Sequence, residues 1–326
     1  MPTNFSHKIR IGTRASKLAL IQADEVKNLL IATGITKEQI EIVPITTSGD
    51  KIQDASLADI GGKGLFIKEL EESLVAKKID IAIHCAKDVP PTIHQDTEIA
   101  AFGHRKDARD YFISQKYDSI NSLPIGAIVG TSSSRRKSIL LGLRPDLEIV
   151  NFRGNVDTRL KKIDENKVDA TILAVCGLER LGKKIDQKNI IATKTMLPAV
   201  GQGCLAFQIR KQDGDIFKIV RKINHAESEI CVVAEREFLR ALNASCKSPV
   251  AVYCKIENGE LNFQTAIFDF DGKEIFATNL CEKIDNFDGD FEKNFDEFLE
   301  KSKKMASVAA KETKQKAGVL LAKICS

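Results

Sequence analysis

Tryptophan is absent from this 326-residue sequence, and tyrosine occurs only three times. Proteins that bind single-stranded nucleic acids stack the bases on aromatic side chains and present a strongly basic surface. Few such aromatic side chains are available here, and the formal net charge is only +4. We therefore expect no nucleic-acid partner.

Long apolar segments are missing as well. No stretch approaches 18 consecutive apolar residues, and the first 14 residues lack the apolar core of a secretory signal. The sequence thus predicts a cytoplasmic protein with no membrane association. Apolar residues make up 43% and charged residues 29%, which is ordinary for a globular protein with two or three domains.

The eight cysteines form no C-x-x-C pair and have no histidine pattern beside them. This spacing predicts neither a metal site nor a disulfide framework. A free cysteine is most often a small, buried apolar side chain. The residues alone favour that interpretation for most of the cysteines, including Cys246.

Two short apolar strands in the middle of the chain, 127–130 and 147–152, each lead into a polar loop and then a helix. The loops contain Thr131, Ser132, Ser133, Arg135, Arg136, Arg153, Asn155 and Arg159. A helix N-terminus offers unpaired N–H groups, and arginine binds carboxylate or phosphate through two hydrogen bonds. We expect the loops to meet in one crevice that binds an anionic ligand. The alternative is that the arginines are solvated charges at helix ends.

Other predicted strands end in the same way. A strand at 8–12 precedes Arg14 and Ser16, and a strand at 169–174 precedes Arg180. A third strand, at 79–83, is followed by Lys87 and Asp88. Two prolines come shortly after them and end regular structure, so the two residues lie on a stiff turn. A carboxylate at a strand end beside a positive crevice stabilises a developing cation or relays a proton. The alternative is a structural ion pair between Asp88 and an arginine.

The order of these elements predicts an α/β protein with three domains. Residues 1–103 and 200–222 form the first α/β domain, which a returning strand at 205–209 completes. Residues 104–199 form the second, and 223–326 form a small C-terminal α+β domain. The glycine-containing polar loop at 47–64 is either a mobile lid or a surface connection.

Several motifs occur in an order that resembles one known family. They are IGTRAS, GDKIQD, GGKGLF, HCAKDVP, GTSSSRRK, RGNVDTRL, AVCGLERLG, LPAVGQG and SCKSPV. In this order they resemble the porphobilinogen deaminase, or hydroxymethylbilane synthase, family, and the resemblance covers essentially the whole chain. The resemblance implies two doubly wound, periplasmic-binding-protein-like α/β domains around a cleft, with the α+β domain behind them. A monomer is also expected.

Members of that family are transferases of tetrapyrrole (haem) biosynthesis. They join four porphobilinogen molecules head to tail, with loss of ammonia, into hydroxymethylbilane on a covalently bound dipyrromethane cofactor. The resemblance implies that Cys246 carries this cofactor through a thioether. It implies that Asp88 is the catalytic carboxylate, which stabilises cationic intermediates and helps to protonate the leaving amine.

The resemblance also assigns the polar side chains, because cofactor and substrate carry acetate and propionate groups. Cofactor binding is implied for Lys87, Thr131, Ser132, Ser133, Arg135, Arg136 and Asn155. Substrate binding is implied for Arg14, Ser16, Arg153, Arg159 and Arg180.

The sequence shows three departures from the family pattern. Cys85 and Cys204 stand where serine and alanine are usual, and Ala244-Ser245 replaces a Gly-Gly pair. Cysteine is a weaker hydrogen-bond partner than serine, and the loss of glycine narrows the conformations of the loop before Cys246. None of these changes removes a group that carries the chemistry.

A second class of function is a non-catalytic anion receptor of the hinged two-domain type, which similar domains would also build. The missing export signal and the third domain disfavour the receptor. Binding of porphobilinogen without its consumption would favour it.

Overall fold

The structure is a computed structural model that describes residues 8–48, 67–245, 247–284 and 293–325. Residues 49–64 of the predicted lid and the predicted cofactor cysteine, Cys246, lie outside the described residues. The chain divides into two units. Unit 1 comprises Met1–Lys106 and Cys204–Glu229, and unit 2 comprises Asp107–Gly203 and Ile230–Ser326. The predicted boundaries of three domains stay a prediction.

Strands and helices alternate through most of the chain. The strands are β1 (Ile9–Arg14), β2 (Ile40–Ile45), β3 (Ile81–Cys85), β4 (Thr97–Phe102), β5 (Asp110–Ile113), β6 (Ile128–Gly130), β7 (Glu148–Val150), β8 (Ala170–Ala174), β9 (Ile190–Ile191), β10 (Leu205–Arg210), β11 (Val250–Glu257), β12 (Glu260–Phe268) and β13 (Ile275–Lys283). The helices are α1 (Lys17–Ala32), α2 (Lys68–Val75), α3 (Ser134–Leu143), α4 (Val156–Asp164), α5 (Val175–Arg180), α6 (Gly214–Arg221), α7 (Ala226–Ala241) and α8 (Phe295–Ile324). Short 3-10 turns occur between them.

Unit 1 contains a five-stranded sheet in the order β2-β1-β3-β10-β4. Strands β1, β2 and β3 are parallel, and β10 runs antiparallel to both β3 and β4. The returning strand predicted at 205–209 is therefore confirmed as β10. Ile9 and Ile11 of β1 lie on the same face of the sheet as Ile81 and Ile83 of β3, and Ala82 lies on the other face. One face packs against Val26 and Leu30 of α1, and the other packs against Leu70 and Leu74 of α2.

Unit 2 repeats this strand order in a second sheet, β7-β6-β8-β5-β9. Strand β6 is parallel to β7 and β8, whereas β5 is antiparallel to β8 and β9. In both sheets the antiparallel strand occupies the fourth place, between the parallel strands and the edge. The mixed α/β class predicted from the sequence is confirmed.

The remaining strands of unit 2, β11, β12 and β13, form a separate antiparallel sheet. Helices α7 and α8 contribute to its core, where the Phe238 and Phe263 rings meet edge to face with centroids 6.0 Å apart. Ala251, Ala266 and Phe268 of this sheet also join the core around Val129 of β6. The smaller α+β part therefore shares apolar contacts with the second α/β sheet.

No helix among the described residues is both long and apolar enough to cross a membrane.

Candidate functional site

In unit 1, the predicted site residues lie at the carboxyl ends of two neighbouring parallel strands. Arg14 is the last residue of β1, and Asp88 lies in the 3-10 turn that follows β3 directly. The side chain of Ser16 caps helix α1 by accepting a hydrogen bond from the Ala19 N–H at 3.4 Å. Because parallel strands end at the same edge of a sheet, the structure brings Arg14, Ser16 and Asp88 to one edge of unit 1.

The turn that carries Asp88 is fixed by backbone and side-chain contacts. The Ala86 N–H donates to the Cys204 carbonyl oxygen at 3.0 Å, and the Val89 N–H donates to the Ala86 carbonyl oxygen at 3.2 Å. Just before the turn, Cys85 Sγ accepts from Gln22 Nε2 at 3.1 Å. Lys87 and Asp88 are both partly exposed, and Asp88 forms no ion pair within the described part of the chain.

In unit 2, the two arginine-bearing loops also lie at neighbouring strand ends. Strands β6 and β7 are parallel, and the Thr131 N–H continues their pairing by donating to the Val150 carbonyl oxygen at 2.9 Å. Ser132 Oγ then donates to Asn151 Oδ1 at 2.6 Å and accepts from the Phe152 N–H at 3.2 Å. The prediction that the two loops meet is therefore confirmed.

Each loop gives way to a helix earlier than the sequence suggested. Ser133 caps α3 by accepting from the Arg136 N–H at 3.4 Å, and Asn155 caps α4 by accepting from the Thr158 N–H at 2.8 Å. Arg135, Arg136 and Arg159 consequently lie within the first turns of the helices, and the expectation that they precede the helices was wrong. The capping side chains, rather than the apolar residues that follow, mark the start of each helix.

Arg135 and Arg136 are buried, with only 3% and 6% of their surface exposed. Both bind Asp110, the first residue of β5, whose exposed fraction is 0%. Arg135 Nη2 donates to Asp110 Oδ2 at 2.8 Å, and Arg136 Nη2 donates to Asp110 Oδ1 at 2.7 Å. The interpretation of these two arginines as solvated charges is therefore wrong.

The charges of this cluster do not balance, because two guanidinium groups share one carboxylate. Burial alone would raise the pKa of Asp110, but the positive charges of Arg135 and Arg136 hold it well below its usual range. Asp110 is therefore ionised, and the cluster carries one excess positive charge. In addition, Nε of both arginines is buried and has no acceptor among the described residues. A buried donor without a partner costs free energy, so a carboxylate ligand would complement this site.

Three further predicted arginines lie near the same edge and are partly exposed. Arg153 follows β7, and its carbonyl oxygen accepts from Lys162 Nζ at 3.2 Å. Arg159 Nε donates to the Gly154 carbonyl oxygen at 2.8 Å. Arg180 ends the short helix α5, which begins directly after β8. Since β8 is parallel to β6, the polar residues after β6, β7 and β8 belong to one edge of the sheet.

Sequence reasoning missed two members of the buried cluster, Asp110 and Gln202. Asp110 lies in a charged stretch of the sequence without clear periodicity, yet it opens a strand. Gln202 Nε2 donates to Asp110 Oδ1 at 2.9 Å and to the Ala108 carbonyl oxygen at 2.6 Å. No periodic pattern connects residues so far apart in the chain. The one local signal was an acidic residue directly before the apolar residues 111–113.

Comparisons with known proteins show which family this chain resembles over most of its length. Residues 9–218 match the family model described as "Porphobilinogen deaminase, dipyromethane cofactor binding domain", and residues 229–307 match "Porphobilinogen deaminase, C-terminal domain". The chain is 47% identical over 269 residues to a porphobilinogen deaminase of Nitrobacter winogradskyi, a match that covers 82% of this chain and 85% of the relative. It is 45% identical over 277 residues to one of Rickettsia bellii, covering 84% and 92%.

Among solved structures, the chain is similar to the methionine binding protein MetQ with a TM-score of 0.42 and 14% identity. That match covers 66% of this chain and 88% of MetQ.

Proposed function

The chain belongs to the porphobilinogen deaminase family, and we propose that it joins four porphobilinogen molecules head to tail into hydroxymethylbilane with loss of ammonia. It is thereby a transferase of tetrapyrrole biosynthesis that uses a dipyrromethane cofactor. The observation that carries this proposal is the buried cluster of Arg135, Arg136 and Asp110 at the strand ends of unit 2. Its excess positive charge and free Nε donors suit a ligand that presents carboxylates.

The residues of unit 2 fit the cofactor by their chemistry. Arg135 and Arg136 would bind its carboxylates, and Thr131, Ser132, Ser133 and Asn155 would offer hydrogen bonds from the loops beside them. Lys87, in unit 1, is the further cofactor residue that the sequence resemblance implies. When bound, the cofactor supplies a permanently attached pyrrole chain to which each new unit is added. Its attachment to Cys246 rests on sequence resemblance, since Cys246 lies outside the described residues.

Asp88 would act on the reacting porphobilinogen. A carboxylate on a fixed turn can accept a hydrogen bond from a pyrrole N–H and offset the positive charge that develops as the amine departs. Its protonated form can donate a proton to the nitrogen of the leaving amine. The turn contacts at Ala86 and Val89 support this role, because they hold Asp88 at one position beside the end of β1.

The substrate carboxylates would bind the more exposed cations, namely Arg14, Arg153, Arg159 and Arg180, with Ser16 as a hydrogen-bond partner. Partial exposure suits groups that must release a product, since a solvated arginine binds and frees a carboxylate at lower cost than a buried one. The modest net charge and scarce aromatic residues support a protein without a nucleic-acid partner. A monomeric, cytoplasmic enzyme stays a prediction, and light scattering of the purified protein tests the monomer.

The first experiment is the intact mass of the denatured, purified protein beside a Cys246→Ser variant that is grown identically. We expect a covalent excess that matches two linked pyrrole units in the wild type and none in the variant. Cys281→Ser is the matched control, because Cys281 is an exposed cysteine and should leave the excess unchanged.

If the wild-type mass equals that of the bare chain, porphobilinogen is added and the mass is measured again. A chain that gains no mass and consumes no porphobilinogen would contradict the enzyme. Binding of porphobilinogen without its consumption would instead support an anion receptor.

A further inference from the structure

Asp110 divides its two carboxylate oxygens between the two arginines of the buried cluster. Oδ2 accepts from Arg135, whereas Oδ1 accepts from both Arg136 and Gln202. All four residues have exposed fractions of 6% or less. Because water does not compete at this depth, these charge-assisted hydrogen bonds are directional and hold their donors in fixed orientations.

Each guanidinium group is also held at a second point by a backbone carbonyl group. Arg135 Nη1 donates to the Leu197 carbonyl oxygen at 2.7 Å, and Arg136 Nη1 donates to the Ile172 carbonyl oxygen at 2.8 Å. Both terminal nitrogens of each arginine therefore have acceptors within the protein, whereas Nε of each has none in the part of the chain that the structure describes. A donor that is already oriented binds a ligand with little further loss of side-chain entropy.

We propose that Asp110 is a positioning residue, which orients Arg135 and Arg136 for the carboxylates of the cofactor and leaves the pair with one excess positive charge. This proposal rests on the proposed function. The single carboxylate matters in two ways. Without it, two buried cations would repel each other and lose their shared orientation. If the cluster contained a second carboxylate, no excess positive charge would remain to attract an anionic ligand.

A second buried carboxylate of this chain provides a matched control. Asp80 in unit 1 is 1% exposed and also joins two arginines, since it accepts from Arg10 at 3.0 Å and from Arg210 at 2.9 Å. Burial alone would raise the pKa of Asp80, but the hydrogen bonds from both arginines hold it below its usual value. Asp80→Asn therefore removes the same kind of interaction from a place with no proposed role in cofactor binding.

The test compares cofactor loading of wild type, Asp110→Asn and Asp80→Asn. Each protein is produced in cells that make no porphobilinogen and is then incubated with porphobilinogen. Intact mass measures the fraction of protein that has gained the cofactor. The incubation temperature is well below the Tm of each apoprotein, and circular dichroism checks the folded fraction. We expect both substitutions to lower the Tm. The loading rate of Asp110→Asn should be about tenfold or more below that of the wild type, which is the size of effect seen when residues that orient metal ligands are lost. The loading rate of Asp80→Asn should stay within about twofold of wild type.

Asp110→Glu separates position from charge and replaces Asp110→Asn if that variant fails to fold. Glutamate keeps the negative charge but displaces both guanidinium groups, so loading should again be slower than in the wild type. Loading at the wild-type rate in Asp110→Asn or in Asp110→Glu would overturn the positioning role. Faster loading of Asp110→Asn would also overturn it, because Asp110 would then be a competitor of the ligand. A wild type that never gains mass would contradict the proposed function instead.

Discussion

Gly142 and Gly272 meet in a contact that leaves no room for a side chain on either residue. A Cβ atom on Gly142 would lie 2.8 Å from the Gly272 carbonyl oxygen, and one on Gly272 would lie 2.1 Å from the Ser138 carbonyl oxygen. Gly142 belongs to α3, the helix whose first turn holds Arg135 and Arg136, and Gly272 lies in the turn between β12 and β13. The hairpin of the three-stranded sheet thus helps to place the helix that carries the buried arginines.

Gly272→Ala should destabilise the protein by about 2 to 5 kcal/mol. The φ of Gly272 is +71°, which costs other residues about 1 to 2 kcal/mol, and overpacking against α3 adds about 1 to 3 kcal/mol. Gly182→Ala is the control, because Gly182 has a similar φ of +68° but no atom within 4 Å of its Cβ position. Urea denaturation should show the smaller loss for Gly182→Ala. Equal losses would show that packing against α3 is unimportant.

Asp88→Asn should retain the cofactor and lose turnover. The amide keeps the shape of the side chain but cannot exchange a proton or offset positive charge, so kcat should fall by about a hundredfold or more. Intact mass would show the covalent excess unchanged, while porphobilinogen consumption would report the lost activity. The surface variant Asp96→Asn, whose side chain is 64% exposed, should retain wild-type turnover. An active Asp88→Asn enzyme would remove Asp88 from the mechanism.

Arg14→Gln should lower kcat/KM for porphobilinogen by about 10-fold to 100-fold, because a charge-assisted hydrogen bond contributes about 1.5 to 3 kcal/mol. Most of the change is expected in KM if Arg14 binds a substrate carboxylate throughout the reaction. Steady-state kinetics at constant ionic strength measure both parameters. Lys37→Gln serves as the control, since Lys37 is exposed in the 3-10 turn before β2. An unchanged KM in Arg14→Gln would contradict substrate binding by Arg14.

His225 should make the protein less stable as the pH falls below about 6.5. Burial lowers the pKa of His225, and the nearby charge of His104 lowers it further; the two rings meet edge to face at 4.5 Å. Between the lowered pKa of His225 in the folded protein and about pH 6.5, the unfolded chain binds a proton that the folded protein does not. The free energy of unfolding therefore increases with pH across this range. Denaturation at several pH values should show this slope reduced in His225→Gln. If both proteins show the same slope, other titratable groups cause the pH dependence.

Much of the fold follows from local patterns in the sequence. Buried strands such as 81–85 and 170–174 are short apolar runs, and the returning strand at 205–210 is another. The placement of Arg14 at the end of a strand, and of Asp88 and Arg180 after strand ends, is equally local. Helix starts were less accurate, because the caps Ser133 and Asn155 act before the apolar pattern becomes visible.

The sequence by itself determined the α/β class, the strands that end in polar residues and the order of motifs that resembles one family. These features depend on residues close together in the chain, where side-chain periodicity and backbone preferences act directly. Only the tertiary structure decided that Arg135 and Arg136 are buried and that Asp110 and Gln202 bind them. Whether an arginine is a solvated charge or part of a buried cluster depends on the depth of its site and on partners from distant strands. Chain folding brings those partners together.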